Sequence, residues 1–365
     1  MPSRTLSFVE SYNPAPLPTE DLDYADLPVI DFGKAGTAEG RAELAIVARD
    51  AMRTQGFVFA INHGYSAAQT KRMFDIANIP FDAVDREEKL MYSGDIKETG
   101  SFQGYKPRSY WHISNGVQDQ NEHYNINPDV HRKQHPKALR PLIPEIDAFI
   151  KHCHVNIVHP ILRLLARGLE MPEETLVNLQ RYEVPQESYL RFIKYYPRSE
   201  EEEAKTNNVW LKGHTDFGSV TVLWSQPVAA LQILSPQNKW QWVKHIENAL
   251  VINIGDALEF LSGGFYKATI HRVVQPPPSQ RGYTRLGVYY FAMLENDVVL
   301  KPLMESPMLQ REGIQTDRLP EKGKEPTMEV HRKARTSAFG KSEAAKGENG
   351  VDIEVLNGVL VKHYN

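Results

Sequence analysis

The stretch Gly213-His-Thr-Asp-Phe-Gly-Ser-Val-Thr-Val-Leu-Trp224 places two potential metal ligands, His214 and Asp216, directly before a run of β-forming residues. Side chains two apart on an extended strand share a face, so these two residues can bind one metal ion while Thr215 points away. A second histidine, His271, stands in Lys267-Ala-Thr-Ile-His-Arg-Val-Val274. His271 can complete the site only from a neighbouring strand, which requires the intervening chain to leave the site and return.

Short β-forming runs separated by turn residues fill the interval between Asp216 and His271. They cover residues 218–224, 230–234, 240–242 and 249–255. Short strands with such turns are typical of an antiparallel sandwich or barrel. The expected fold is therefore mainly β around the predicted metal site.

Two imidazoles and one carboxylate, with no cysteine nearby, form the ligand set of non-heme Fe(II) oxygenases, which leaves three positions of an octahedral ion open. An α-keto acid could fill two of them, and its far carboxylate would then need a partner. The planar guanidinium of arginine suits that carboxylate best. Arg285, at the start of the strand-like stretch 285–291, is the predicted partner, whereas Arg272 should point to the opposite face and Arg281 should lie in a solvated turn.

The ligand motif is accompanied by further characteristic stretches. They are LPVIDFG at 27–33, GFVFAINHGYS at 56–66, FIKYYP at 192–197 and LVINIGDALEFLSGGFYKATIHRVV at 250–274. Together they make the chain resemble the isopenicillin N synthase-like branch of the Fe(II)/2-oxoglutarate-dependent dioxygenases, over almost its whole length up to about residue 295.

This resemblance implies an α+β, mainly β fold with a double-stranded β-helix, or jelly-roll, core and with N-terminal and flanking helices. It implies an N-terminal region of strands and helices at 1–185, a jelly-roll core at 186–295 and a C-terminal extension at 296–365 that docks on the core.

Carried over residue by residue, the resemblance puts the iron ligands, which are also the catalytic residues, on His214, Asp216 and His271. It puts the arginine that binds the distal carboxylate of 2-oxoglutarate on Arg285 and the tyrosine that contacts this co-substrate on Tyr196.

Two neighbouring positions depart from the family pattern. Gly287 replaces the usual serine, so one hydrogen bond to the co-substrate is lost or supplied elsewhere, for which Tyr289 on the same face is a candidate. Lys194 replaces the usual asparagine, and a lysine there could bind an acidic group.

Substrate contacts are expected from the segment 94–130, which is rich in Gly, Ser and Asn and is predicted to be a loop covering the site. The candidate substrate residues are Phe102, Tyr105, Tyr124 and Phe217, together with the pair Glu122-His123. The resemblance implies that Fe(II), 2-oxoglutarate and O2 are used to oxidise a small organic molecule, by default through hydroxylation, with release of succinate and CO2. Desaturation, epoxidation and ring expansion use the same oxidising centre and stay open.

The proline-rich loop after His271 and the C-terminal His-Tyr-Asn resemble those of fungal secondary-metabolite members of the family. On that likeness we expect an aromatic or polyketide-type substrate. Three alternatives remain at this point: an Fe(II) oxidase of the isopenicillin N synthase or aminocyclopropane-carboxylate oxidase type without 2-oxoglutarate, a non-catalytic jelly-roll binding protein, and a zinc hydrolase. The last lacks an evident acid–base glutamate beside the site.

Composition fits a cytoplasmic enzyme without a membrane anchor. A net charge of −4 offers no basic field for nucleic acid. The chain has no run of 18 apolar residues, no secretory signal pattern, and a single cysteine, Cys153. We expect a small-molecule substrate and find no sign of an obligate protein partner.

The remaining segments are given structural roles. His63, Asn253, Gly255 and Asp256 are predicted to belong to the scaffold, and His152-Cys153-His154 to lie on a helix rather than in a nucleophilic site. Helices are expected at about 38–54, at 66–93 with a break near Pro80, at 144–170 with a kink near Pro160, and at 173–181. An extended arm at 1–26, a polar tail after 296 and an apolar C-terminal stretch complete the prediction.

Overall fold

The computed structural model describes residues 7–338, apart from the side chains of 97, 98 and 338, together with the backbone of 345–346, 351–356 and 359–364. The predictions for the first six residues of the arm and for residues 339–344 and 347–350 of the polar tail lie outside the described residues.

The helices lie mostly in the first half of the described chain and near its C-terminal end. They are α1 (Ala38–Thr54), α2 (Ala67–Asp82), α3 (Arg86–Met91), α4 (Ile96–Thr99), α5 (Ile143–Lys151), α6 (His159–Gly168), α7 (Glu174–Val177), α8 (Glu200–Lys205), α9 (Asp256–Leu261), α10 (Pro307–Glu312) and α11 (Met328–Ala338). A π-helical segment, His152–Val158, joins α5 to α6. Within the described residues, no helix combines the length and the apolar character needed to cross a membrane.

The strands alternate with these helices and with turns. They are β1 (Val29–Asp31), β2 (Phe57–Ile61), β3 (Gly104–Lys106), β4 (His112–Ser114), β5 (Val117–Gln118), β6 (Asn121–Ile126), β7 (Tyr189–Tyr195), β8 (Val209–His214), β9 (Val220–Trp224), β10 (Leu231–Leu234), β11 (Trp240–Trp242), β12 (Leu250–Ile254), β13 (His271–Val274), β14 (Arg285–Ala292), β15 (Ala345–Lys346), β16 (Val351–Leu356) and β17 (Val359–Tyr364).

Two sheets form the body of the protein, and their mixed helices and antiparallel strands make the predicted jelly roll. The larger sheet has the strand order β1-β2-β12-β9-β14-β7-β6-β3, and the smaller has the order β11-β10-β13-β8-β17-β16-β15. The pairing of β17 with β8, at Tyr364 opposite Gly213, places the C-terminal hairpin beside the strand that ends in His214.

The larger sheet separates two environments, because its strands alternate their side chains between them. On β12, Leu250, Ile252 and Ile254 are fully buried in a core shared with the helices. Val251 and Asn253 of the same strand face a cavity between the two sheets. The apolar alternation that predicted these strands thus also decides which residues can reach the cavity.

Local capping fixes where several helices begin. The Thr37 side chain accepts a hydrogen bond from the backbone of Gly40 at the start of α1. Ser66 and Gln69 form a capping box at the start of α2, in which each side chain satisfies a backbone N–H of the other. These caps explain why the predicted and observed starts of both helices agree to within a residue.

Four predictions for segments outside the core need correction. The stretch 94–130 is not only loop, since β3 and β6 belong to the larger sheet. The break in the second helical region follows Asp82, because Pro80 is buried inside α2. The kink predicted near Pro160 takes the form of the π-helical segment just before it, a usual way to accommodate irregular backbone hydrogen bonding, and the helix predicted at 173–181 is reduced to α7.

We expect Ile252→Ala to lower the free energy of unfolding by about 2–5 kcal/mol, because it opens a void in the fully buried core between the larger sheet and the helices. Urea denaturation followed by circular dichroism measures this. Ile46→Ala, at an isoleucine of α1 that is 54% exposed, is the matched control and should change the value by less than about 0.5 kcal/mol. Equal effects of the two substitutions would contradict the proposed core.

Candidate metal centre and active-site cavity

Adjacent strands of the smaller sheet bring the two predicted histidine ligands together. β8 and β13 are antiparallel, and His271 lies directly opposite His214. Asp216 follows two residues after His214. Its Oδ1 lies 3.8 Å from His214 Nε2 and 3.7 Å from His271 Nε2. Since a metal–ligand bond is about 2 Å long, one ion can be shared by these three atoms.

Backbone carbonyl groups orient both imidazoles. His214 Nδ1 lies 2.8 Å from the carbonyl oxygen of Lys212, and His271 Nδ1 lies 3.1 Å from that of Thr269. A carbonyl only accepts hydrogen bonds, so each Nδ1 carries the proton and each Nε2 keeps its lone pair. Both Nε2 atoms therefore face the shared position as metal ligation requires.

The carboxylate of Asp216 is held by two side chains of the larger sheet. Thr221 Oγ1 donates to Asp216 Oδ2 at 2.6 Å, and Asn253 Nδ2 donates to the same oxygen at 2.9 Å. These bonds occupy Oδ2 and leave Oδ1 toward the two histidines. Partners of this kind tune metal affinity. Asn253 was assigned to the scaffold from sequence, and the structure shows that it also orients a candidate ligand.

The protonation states of the triad also suit a metal ion. Burial, followed by the proximity of His271, lowers the pKa of His214 to about 3, so its imidazole is neutral at physiological pH. Burial raises the pKa of Asp216, but the two histidines and the hydrogen bonds from Asn253 and Thr221 outweigh it and lower that pKa overall. The triad thus offers the neutral imidazole of His214 and the ionised carboxylate of Asp216.

The C-terminal helix α11 reaches the loop that carries Asp216. Arg335 donates to the carbonyl of Thr215 at 2.8 Å and forms a short ion pair with Asp256. Arg318 donates to the other oxygen of Asp256 at 2.6 Å. Burial raises the pKa of Asp256, but Arg318 and Arg335 outweigh this and hold it well below the usual range. Asp256, predicted to be a turn residue, is therefore the point where the C-terminal extension is tied to the ligand loop.

Aromatic side chains line the cavity beside the triad. Phe217 and Phe102 both line it, with their rings stacked at 5.9 Å, so the structure brings these two candidate substrate residues to the site. It does not bring the other two. Tyr105 donates to the carbonyl of Pro80, and Tyr124 lies against His135 with its hydroxyl 2.7 Å from Nδ1. Both rings face away from the cavity because their polar ends are satisfied elsewhere.

Arg285 does not line the triad cavity itself. It is 1% exposed and lines a small adjoining cavity that shares Leu223, Leu231 and Val251 with the larger one. Its Nη1 donates to the hydroxyl of Tyr289 at 2.9 Å, and Tyr289 itself lines the triad cavity. Arg285 is thus connected to the cavity through the phenol of Tyr289.

The glycine at 287 makes room for that phenol. A Cβ atom at Gly287 would lie 2.5 Å from the ring of Tyr289, closer than any real contact allows. A serine would therefore exclude Tyr289 from its present position. The hydroxyl that the family pattern places at 287 is replaced in space by the hydroxyl of Tyr289.

Tyr196, the predicted co-substrate contact, does not line the cavity. Tyr196 follows the end of β7, and its hydroxyl donates to Glu122 at 2.5 Å. Tyr195 lines the cavity instead and stands opposite Arg285 in the sheet. Lys194 points to the other face, where it donates to Asp82 at 2.7 Å and so ties β7 to α2. Its acidic partner is a protein side chain rather than a co-substrate.

Trp111 and Arg191 are among the cavity residues that were not predicted from sequence, whereas His123, a candidate substrate contact together with Glu122, does line the cavity. The signal for Arg191 was present, since it stands between the apolar Leu190 and Phe192 in a strand pattern. His63, predicted to be structural, contacts the carbonyl of Asn248 at 2.9 Å and takes no part in the triad.

Comparison with known proteins points to one family. Residues 187–293 match the family model of the 2OG-Fe(II) oxygenase superfamily, and residues 27–145 match that of the non-haem dioxygenase in morphine synthesis N-terminal region. The 2-oxoglutarate-dependent dioxygenase ecdK of Aspergillus rugulosus is 28% identical over 277 residues, which is 69% of this chain and 82% of that protein. The 2-oxoglutarate-dependent dioxygenase tropC of Talaromyces stipitatus is 25% identical over 306 residues, 76% of this chain and 89% of that protein.

Among solved structures, a full-length Neurospora crassa protein in complex with alpha-KG is similar, with a TM-score of 0.73 and 22% identity over 87% of this chain and 99% of that one. This likeness confirms the jelly-roll fold. The matches favour the 2-oxoglutarate-dependent enzyme over the oxidase, binding-protein and hydrolase alternatives. The chain therefore belongs to the 2OG-Fe(II) oxygenase superfamily and is a 2-oxoglutarate-dependent dioxygenase, an oxidoreductase that uses Fe(II) and 2-oxoglutarate with O2 as co-substrate.

Proposed function

We propose that this enzyme hydroxylates a small aromatic or polyketide-type molecule of secondary metabolism, with release of succinate and CO2. The observation that carries the proposal is the position of the His214–Asp216–His271 cluster in a cavity whose other walls include several aromatic side chains. Ferrous iron, 2-oxoglutarate and O2 together supply the oxidising power for attack on a substrate carbon.

In this proposal the three ligand residues each have a defined task. His214 and His271 would present their Nε2 atoms to the iron, and Asp216 would present Oδ1. Thr221 and Asn253 hold the carboxylate so that it cannot turn away. The backbone carbonyls behind the imidazoles keep both rings in the binding tautomer.

The co-substrate end of the cavity is assigned to Arg285 and Tyr289. The distal carboxylate of 2-oxoglutarate accepts a hydrogen bond from the phenol of Tyr289 and is neutralised by the guanidinium of Arg285 behind it. Buried Arg285 Nε lacks a hydrogen-bond partner among the described residues, which fits a site that receives an anion. Tyr195, opposite Arg285, closes this end of the cavity.

The aromatic end is assigned to the substrate. Phe217, next to a metal ligand, and Phe102, stacked on it, provide flat apolar surfaces beside the reacting position. Trp111, Tyr189 and Phe291 extend that surface. Such walls bind an aromatic ring and exclude water, which is the part of the chemistry that the protein contributes.

The reaction is tested by supplying the enzyme with Fe(II), 2-oxoglutarate and O2 and screening small aromatic and polyketide compounds for stimulated succinate release. We expect a stimulating compound to yield a product heavier by one oxygen atom in mass spectrometry, with the oxygen taken from labelled O2. A product lacking two hydrogen atoms instead, with no added oxygen, would replace hydroxylation by desaturation.

The metal assignment predicts that anaerobic Fe(II) and 2-oxoglutarate give a weak visible charge-transfer band that His214→Ala abolishes. Asn253→Ala should weaken Fe(II) binding about 10- to 100-fold, because Asp216 loses the amide that holds it. Asn178→Ala, at an exposed asparagine, is the matched control and should leave Fe(II) binding unchanged. Full Fe(II) affinity in Asn253→Ala would count against the orienting role.

The co-substrate assignment predicts that Arg285→Gln raises the KM for 2-oxoglutarate roughly thirtyfold or more, since a buried charged partner contributes at least about 2 kcal/mol. Tyr289→Phe should raise it about 2- to 10-fold through the loss of one hydrogen bond. Tyr290→Phe, the next residue on β14 but on the helix-facing side, should leave it unchanged. Steady-state kinetics with varied 2-oxoglutarate measures all three, and an unaltered KM in Arg285→Gln would refute the assignment.

A further inference from the structure

Arg191 on β7 presents a cation to the cavity inside a cage of rings. Its Nε donates to Asn125 Oδ1 at 2.8 Å. The guanidinium carbon lies 5.2 Å from the ring centres of Phe102 and Tyr189 and 5.0 Å from that of Phe291. Arg191 Nη2 is buried and has no hydrogen-bond partner among the described residues. The Nη2 donor of Arg191 is therefore available to a hydrogen-bond acceptor on a ligand in the cavity.

The charge of Arg191 is also uncompensated, unlike that of Lys106 and Arg335 near the cavity. Lys106 forms a buried ion pair with Asp119, and Arg335 pairs with Asp256. In the described part of the chain, no carboxylate lies within ion-pair distance of Arg191. Rings stabilise a cation only in part, and a charge removed from water is best balanced by an opposite charge.

A second unpartnered polar group lies beside Arg191. His123 on β6 is completely buried and lines the same cavity, and neither of its ring nitrogens has a hydrogen-bond partner among the described residues. Burial, followed by the charges of Arg191 and Lys106, lowers the pKa of His123 well below its ordinary value. The imidazole is therefore neutral and offers one donor and one acceptor. A buried group of this kind is costly unless a ligand satisfies it.

This pair is distinct from the end of the cavity assigned to 2-oxoglutarate. Arg285 stands opposite Tyr195, whereas Arg191 is four residues from Tyr195 along β7, about 13 Å at strand spacing. The guanidinium of Arg191 also lies against Tyr189 and Phe291, a cross-strand pair still farther from Arg285. Arg191 thus lies in the triad cavity at a distance from Arg285, which lines the adjoining cavity behind Tyr289.

We propose that Arg191 and His123 anchor a carboxylate of the substrate, so that the enzyme acts on a small aromatic acid. One uncompensated cation and one neutral imidazole suit a single negative charge rather than a dianion. Phe102 contacts the guanidinium on one side and stacks on Phe217 on the other. An aromatic acid bound at Arg191 would therefore extend along these rings toward Asp216. This inference rests on the proposed function and specifies its substrate class.

Anaerobic calorimetry on the full-length Fe(II)-loaded enzyme containing 2-oxoglutarate tests the anchor. The probes are benzoate, phenylacetate, 3-phenylpropanoate and 2-naphthoate, each compared with its primary amide. We expect at least one acid to bind about tenfold or more tightly than its amide, because only the acid satisfies the charge. Arg191→Gln should remove this preference, and His123→Phe should reduce it. Arg281→Gln, at an arginine outside the cavity, is the matched control and should retain it.

The outcomes separate this inference from the proposed function. If the charge-transfer band forms normally but no acid is preferred over its amide, the anchor is refuted and the oxygenase assignment stands. The same holds if Arg191→Gln keeps the preference, or if excess 2-oxoglutarate displaces the acid, which would place it at Arg285. If Fe(II) and 2-oxoglutarate give no band, the proposed function fails, while an acid preference that depends on Arg191 would still identify an acid-binding cavity.

Discussion

Side-chain alternation along the larger sheet is the constraint on which the rest of the structure depends. Its central strands must supply a helix-facing core and a cavity wall at once, and a shift of one residue would exchange the two faces. On β9, Val222 and Trp224 enter the core while Thr221 and Leu223 face the cavity. The polar and charged groups near the triad are tolerable only because this register keeps them away from the helices.

Near the cavity, two buried aspartates show how the same residue type serves different purposes. The carboxylate of Asp256 is paired with Arg318 and Arg335, and it ties the C-terminal extension to the body. The carboxylate of Asp216 receives hydrogen bonds on Oδ2 and faces His214 and His271 with Oδ1. A carboxylate with both oxygens in ion pairs, as in Asp256, stabilises the fold. A carboxylate that keeps one oxygen free beside two imidazoles, as in Asp216, can bind a metal ion.

Sequence alone predicted the jelly-roll class, four strands between the ligands and the assembly of the triad, because each depends on short-range periodicity or on a dense motif. It could not tell which of the adjacent residues Tyr195 and Tyr196 faces the cavity, since only the pairing of β7 with β14 decides this. It also assigned the stretch around β6 to a loop, because the sheet partner of β6 is distant in sequence. Tyr105 and Tyr124 could not be excluded in advance, since their hydrogen-bond partners are known only after folding.

The sequence by itself determined which residues could form a metal site, because a histidine and an aspartate two residues apart, with a second histidine in another strand-like run, are recognisable as a ligand motif. It also determined that Gly287 and Lys194 depart from the family pattern. Only the tertiary structure decided that the ring of Tyr289 fills the space beside Gly287, that Lys194 pairs with Asp82, and that Arg191 Nη2 and the ring nitrogens of His123 lack hydrogen-bond partners among the described residues. These outcomes depend on contacts between segments far apart in the chain, and such contacts are fixed by packing and charge balance rather than by local periodicity.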